Sequence, residues 1–528
     1  MLYSIPYLKL KNIFDALPHT KFMQKIKKKS FALNATFLAV GGLLCKVIGA
    51  VYRIPLVKIL STSGIGLYQT AFPVFAILLT LSSGGISQAI SALLASEGRE
   101  NTTSVVRAGF SVVSSATIIT SLLLYFLAPV LSNIQGTPNA TGCYRALVPA
   151  IIFSGFSAVI KGYFQAQSNV TPTIISQIIE QTAKLVFGLI LSNLFITRST
   201  TDGVIGALLG VSISELLCFF FLFIRYVLRK DKEPPSYIPK NYAFIRVFRA
   251  SLPLALGGIV LPISSLIDSV TVVNILSTTN SLNYATSMYG IQTGVVNTIT
   301  NLPAVFTVAL GVTIVPVMCN NSGTRVLKKG RISVKLAMLV CIPSTILLSI
   351  LAPNVIDLLY PSMSITERNI ASVCLSISAI GIAPLGLTQI YSSLLFSVGL
   401  VRKSVKNLII GVIVKCIVLF PLVNNFGIYG ASVSTVVCYL TSAILNARTW
   451  LVLDENHPKT KSFGKLFISS VICSLPVFLL KSFLSTSILF ALTLLCVVLY
   501  LYTVTKTRAL TPDEVESIPF LRPFTKVK

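Results

Sequence analysis

Lys46 and Arg53 lie seven residues apart inside FALNATFLAVGGLLCKVIGAVYRIPLVKIL, residues 31–60, a run otherwise apolar enough to cross a bilayer. A cation near the centre of a membrane helix costs roughly 2.5–3.5 kcal/mol on insertion scales, so it persists where it faces a protein interior or a water-filled cavity. Seven residues is close to two helical turns. Lys46, Gly49 and Arg53 therefore share a face, and one cavity can receive both charges. Such a face suits an anion. In the alternative, Arg53 and Lys58 snorkel to the outer interface and Lys46 alone is buried.

Three further cations, Lys161, Lys184 and Lys415, and three acids, Glu180, Glu215 and Asp268, also fall inside apolar runs. Lys184, Glu215 and Lys415 sit near the middle of their runs, where snorkelling is least able to rescue them. The candidate substrate-binding set is thus Lys46, Arg53, Lys161, Lys184 and Lys415, with Glu180, Glu215 and Asp268 as charge partners or ion-coupling groups. Glu180 and Lys184 stand four apart on one helix, an orientation that favours an ion pair; such a pair also lets the helix insert as a neutral unit. Asp268, in LPISSLIDSVTVV, either pairs with a cation of the other half, takes part in ion coupling, or is simply wet near the outer end. Lys161 lies toward the cytoplasmic end of its run, within snorkelling reach.

These charges are exceptional because the chain around them is so apolar. Its 528 residues are 54% hydrophobic and 11% charged, with a mean hydropathy of +0.82. That places it among polytopic, all-α membrane proteins. The net charge of +27, from 43 Lys+Arg against 16 Asp+Glu, would suggest nucleic acid in a soluble chain. Here the cations crowd short loops, where the positive-inside rule and anionic lipid headgroups account for them, so no nucleic-acid partner is implied. Ten cysteines are scattered singly without a CxxC, and read as small apolar residues. His19 and His457 both lie in polar segments, which excludes a histidine-based catalytic or metal centre in the membrane. No GxxxxGK[ST] loop is present, so direct ATP hydrolysis is not expected, and no cofactor is implied.

Spans of about 20 mainly apolar residues number fourteen, from 31–60 to 486–504. Arg and Lys concentrate in alternate loops, as at Arg229–Lys240, Arg325–Lys335 and Arg402–Lys406, which predicts cytoplasmic termini in a plasma-membrane protein. The predicted organisation is a basic cytoplasmic extension at 1–30, a six-helix lobe at 31–228, a cytoplasmic linker at 229–245, a second six-helix lobe at 246–453, two additional helices at 464–504 and a cytoplasmic tail at 505–528. Repeated halves of this kind are common in transporters.

The segments CKVIGAVYRIPLVKILSTSGIGLYQTAFPVFAILLTLSSGGISQAISALLA, KGYFQAQSNVTPTIISQIIEQ and LPLALGGIVLPISSLID resemble the stage V sporulation protein B branch of a large exporter superfamily. That superfamily also includes MurJ-type lipid II flippases, polysaccharide exporters and multidrug and toxin extrusion transporters. The resemblance runs over most of residues 31–505. It implies two six-helix lobes in a V around a central cavity, alternating between inward-open and outward-open states. The implied substrate is a polyprenyl-pyrophosphate-linked saccharide, such as a peptidoglycan or other cell-wall precursor, carried from the cytoplasmic to the outer leaflet. It also implies a cavity arginine at Arg53, while Lys46 stands where arginine is common. Lysine keeps the charge and loses the two-pronged phosphate geometry. The last two helices would form part of a lipid-tail groove.

The charges inside the spans lead to the same expectation. A cavity with more cations than acids lowers the cost of carrying a diphosphate across hydrocarbon, and Gln165, Gln177, Gln181, Asn297 and Asn301 offer hydrogen bonds to sugar hydroxyls. No covalent chemistry is required, so the protein is expected not to be an enzyme. Voltage, worth roughly 2.3 kcal/mol per charge per 100 mV, or an ion gradient through Glu180, Glu215 or Asp268 would drive the cycle. A cation or drug antiporter of the same fold is the main alternative, and would want acids to dominate the cavity. A membrane-embedded glycosyl- or acyltransferase and a non-transporting scaffold bound to cell-wall synthesis proteins are the others.

Overall fold

In hydrocarbon every backbone N–H and C=O needs an internal partner, which gives the apolar runs of this chain the α-helix as their local structure. The computed structural model describes residues 21–97, 102–167, 169–228, 239–319, 324–453, 460–481 and 483–507, and among them it holds helices and no strand. Both histidines, the basic extension up to residue 20, the linker from 229 to 238 and the tail beyond 507 lie outside the described residues.

The first element, α1 (Lys21–Ser83), is broken at Ser61, whose φ of 61° and ψ of 176° turn the second arm back along the first. The arms are the first two expected spans, the second continued by α2 (Ile86–Glu97) after a turn at Gly84 and Gly85. Then follow α3 (Thr102–Ile134), the short α4 (Thr141–Ala146), α5 (Val148–Ala166), α6 (Thr171–Phe195) and α7 (Thr200–Val227). Ser199 caps α7 by accepting from the Asp202 N–H at 3.0 Å. Next come α8 (Lys240–Gly258), α9 (Val260–Thr279), α10 (Leu282–Gly290), a π-helical turn at Ile291–Val296 and α11 (Asn297–Cys319). The remainder is α12 (Thr324–Leu359), α13 (Ile365–Ile380), α14 (Ile382–Ser397), α15 (Val401–Phe426), α16 (Ile428–Leu451), α17 (Thr460–Leu480) and α18 (Thr486–Lys506). Ser364 and Glu367 form a reciprocal capping box at the start of α13.

Besides α1, the described residues hold 11 helical segments long and apolar enough to cross a membrane, and the α13–α14 pair, bent by 41°, makes a further one. With the two arms of α1 this agrees with the fourteen spans expected from the sequence. Outward faces are apolar too: Ile118, Ile119, Leu122 and Phe126 of α3 are exposed, as lipid-facing residues should be.

The buried core is divided in a way that shapes the interior. One cluster runs from Tyr52 and Leu56 of α1 through Tyr144 and Leu208 to Met288, Tyr289 and Leu375, and so joins helices from before and after residue 240. A second, with Ile90, Val113, Tyr163 and Leu222, belongs to the first helices and the start of α8. A third, with Met338, Leu394 and Trp450, belongs to the later ones. The two sets of helices therefore share a core at one end and keep separate cores at the other, leaving space between them. Within the first set, α6 and α7 approach at Gly188 and Gly210, where a Cβ on Gly210 would stand 3.0 Å from the Phe187 carbonyl carbon. The last two helices pack on α12, and Tyr500 Oη donates to the Leu339 carbonyl at 3.2 Å.

Candidate functional site

A cavity of about 520 Å³ opens in that space. The first arm of α1 supplies Lys46, Gly49 and Arg53, its second arm supplies Tyr68 and Phe72, α6 supplies Gln181 and Lys184, and the π-turn with α11 supplies Thr293, Asn297 and Asn301. Lys46 and Asn301 are exposed within it, whereas Arg53 and Lys184 are partly buried. Among the described residues, three cations line the cavity and no acidic residue does.

Helical geometry explains the grouping. Lys46, Gly49 and Arg53 recur at the spacing that keeps them on one face. Gly49 leaves room for Gln181, whose Oε1 lies 3.4 Å from the position a Cβ would take. The Ser61 turn then brings Tyr68 back beside Tyr52 and Arg53. Arg53 Nη1 donates to the carbonyl oxygens of Thr293 at 3.4 Å and Gly294 at 3.3 Å. Both carbonyls belong to the π-helical turn, and wide turns of this kind are frequent at functional sites. One guanidinium edge is thus held by α1's partner while the rest of the fork faces the cavity.

The other expected residues separate into two groups. Lys415 does not reach the cavity: its Nζ donates to Asp268 Oδ2 at 2.5 Å and lies 3.5 Å from Ser264 Oγ. The pair joins α15 to α9, so Asp268 meets a cation of its own half of the chain rather than one of the other half. Lys161, Glu180 and Glu215 also stand off the cavity lining, in a cluster between α5, α6 and α7. The described ion pairs include Arg368–Asp357 and Lys415–Asp268 but none between Glu180 and Lys184. Glu180 instead accepts from Gln181 Nε2 at 2.9 Å.

Of the amides, Gln181, Asn297 and Asn301 line the cavity, while Gln165 accepts from Ser87 Oγ at 3.1 Å elsewhere. Sequence reasoning missed Thr293, Thr298 and Gln389. Gln389 is an amide inside an apolar stretch of α14, a signal that could have marked it; Thr307 Oγ1 donates to it. Threonines inside membrane helices are too common to flag by type.

At the end where the core is shared, the cavity is closed. The backbones of α1 and α10 touch at Gly66, Thr286 and Gly290, and Thr62 Oγ1 donates to Glu367 Oε1.

Comparison with known proteins agrees with this architecture. The chain is similar to the stage V sporulation protein B of Bacillus subtilis (strain 168), with 24% identity over 87% of this chain and 90% of that protein. It is also similar to the lipid II flippase MurJ of the same organism, with 23% identity over 78% of this chain and 81% of the relative. A solved structure of lipid II flippase MurJ in an inward closed conformation superposes with a TM-score of 0.69 at 18% identity, covering 89% of this chain and 97% of that one. This likeness shows the exporter fold. A family model described as polysaccharide biosynthesis protein matches residues 31–322, more than half of the sequence, and the chain belongs to that family.

Proposed function

We propose that the protein is a flippase that moves a polyprenyl-pyrophosphate-linked saccharide between leaflets by alternating access. The observation that carries this reading is the cavity itself: Lys46, Arg53 and Lys184 converge on it, and among the described residues no acid lines it. Its volume of about 520 Å³ falls within the usual range of small-molecule sites. A diphosphate is the part of such a lipid that hydrocarbon rejects most strongly, and cations in a partly desolvated cavity replace the water it loses. Gln181, Asn297 and Asn301 stand beside those cations as partners for sugar hydroxyls. No covalent step enters the cycle.

In this reading both termini are cytoplasmic, the membrane is the plasma membrane, and residues 31–228 and 246–453 are the two lobes that rock about the cavity. The closed end at Gly66 and Gly290 then faces outward and the cavity faces the cytoplasm. The relatives named as a sporulation protein and a lipid II flippase support a cell-wall cargo. A cation or drug antiporter of the same fold is disfavoured because the described lining holds cations and no acid.

The test is a leaflet-accessibility assay in proteoliposomes with labelled lipid II and, separately, a labelled teichoic or capsular precursor. Wild-type protein is expected to expose one of them on the opposite leaflet, and Arg53→Ala to slow this at least tenfold. Equal movement with and without the protein for both cargoes refutes the proposal.

A further inference from the structure

Lys184 faces two ways. Its side chain lines the cavity beside Lys46 and Arg53, and it also lies within range of the charges of Glu180 and Glu215 behind the cavity wall. There a carboxylate oxygen of Glu180, one of Glu215 and the Cys218 sulfur all lie within 4.8 Å of one another. Glu215 is only 7% exposed, and its Oε2 has no hydrogen-bond partner among the described residues. The groups around the pair are Lys161 from α5, Lys184 from α6, Cys218 from α7 and, beyond Lys184, Cys45 and Arg53 from α1.

We propose that Glu180 and Glu215 form a proton-binding site, and that Lys184 links its occupancy to the binding of anionic cargo in the cavity. The inference rests on reading the cavity as a diphosphate site.

Two carboxylates this close inside a membrane cannot both stay charged without compensation, because burial and mutual repulsion both disfavour the second charge. With the cavity empty, Lys161 and Lys184 provide the two compensating charges. An anion in the cavity draws the Lys184 ammonium toward itself, leaving one cation for two acids. A proton taken up between the carboxylates restores the balance, and the unpartnered Glu215 Oε2 is available to carry it. When the cargo leaves, Lys184 returns to the acids and the proton is released. A divalent metal ion fits less well, since it would stand against the ammonium groups of Lys161 and Lys184. Lys46 and Arg53 bind cargo without taking part in this exchange.

Linkage then requires cargo affinity to rise as pH falls through the titration of the pair, by at most about tenfold per pH unit for one proton. The test is titration calorimetry of the full-length protein in detergent with a short-chain prenyl diphosphate, run in two buffers of different protonation enthalpy. Buffer-dependent heats, showing about one proton taken up per ligand, are expected of wild type. Glu215→Gln should still bind, in alkaline buffer as tightly as wild type does in acid, with heats independent of buffer. Lys46→Gln should bind more weakly but keep the proton uptake, and Lys184→Gln should lose it. Wild-type binding with buffer-independent heats overturns the proton site and leaves the cavity reading standing, whereas no binding at all overturns both. Heats abolished by a chelator would assign a metal ion to the acids instead, and overturn the proposal.

Discussion

Gly66 and Gly290 meet backbone to backbone where α1 crosses α10: a Cβ on Gly290 would lie 2.6 Å from the Gly66 nitrogen and 3.0 Å from its Cα. What stands in the way is main chain, which cannot rotate aside as a side chain can. Gly290→Ala should therefore hold the two elements apart and favour the state open at this end. The expected outcome is at least a tenfold fall in disulfide cross-linking between Thr62→Cys and Glu367→Cys, equivalent to about 1.4 kcal/mol. Unchanged cross-linking would show that the crossing does not set closure.

Arg53 spans two carbonyl oxygens of the π-helical turn and one cavity, which a lysine's single ammonium cannot match. Arg53→Lys should keep part of the translocation activity and Arg53→Ala very little, in the proteoliposome assay. A charge-assisted hydrogen bond of this kind is worth about 1.5–3 kcal/mol, so both variants should also melt earlier in detergent.

The Lys415–Asp268 pair predicts a loss of stability, not of cargo binding. Removing one partner leaves a buried charge unmatched, at a cost of about 3–5 kcal/mol. Lys415→Met and Asp268→Leu should each lower the melting temperature sharply, while the double variant recovers most of it and retains translocation. If Lys415→Met instead abolished prenyl diphosphate binding in a well-folded protein, the lysine would be a cargo ligand.

Ser61 occupies a backbone region that is essentially reserved for glycine, at a cost of about 1–3 kcal/mol. Ser61→Gly should raise the thermal stability by about that strain, and Ser61→Ala should not. Among the described residues its hydroxyl bonds only to Leu60 O and to Ser63 Oγ nearby, so little is lost on removing it.

Much of this was legible in the chain because membranes impose local rules. Apolar runs of the right length mark the spans, and a cation inside one marks a site worth explaining. The seven-residue spacing of Lys46 and Arg53 already places them on one face, whatever the helix packs against. The resemblance carried by the segments around Tyr52, Arg53 and Lys161 led to the family that the matching model shows.

What the spacing of residues cannot encode is which faces meet. Lys184 and Lys415 are both mid-span lysines in helices of similar composition, yet one opens on the cavity and the other is held by Asp268, 147 residues earlier. Glu180 and Lys184 sit at ion-pair spacing, yet Glu180 accepts from Gln181, and the packing of α7 on α6 sets Glu215 beside it, a second acid that the spacing along α6 does not announce. The π-helical turn that receives Arg53 carries no local signature in IQTGVV. Periodicity along one helix fixes what each face presents, since that depends on neighbours three or four residues away. The partner that a face receives depends on contacts between helices far apart in the chain, and only the packed bundle decides those.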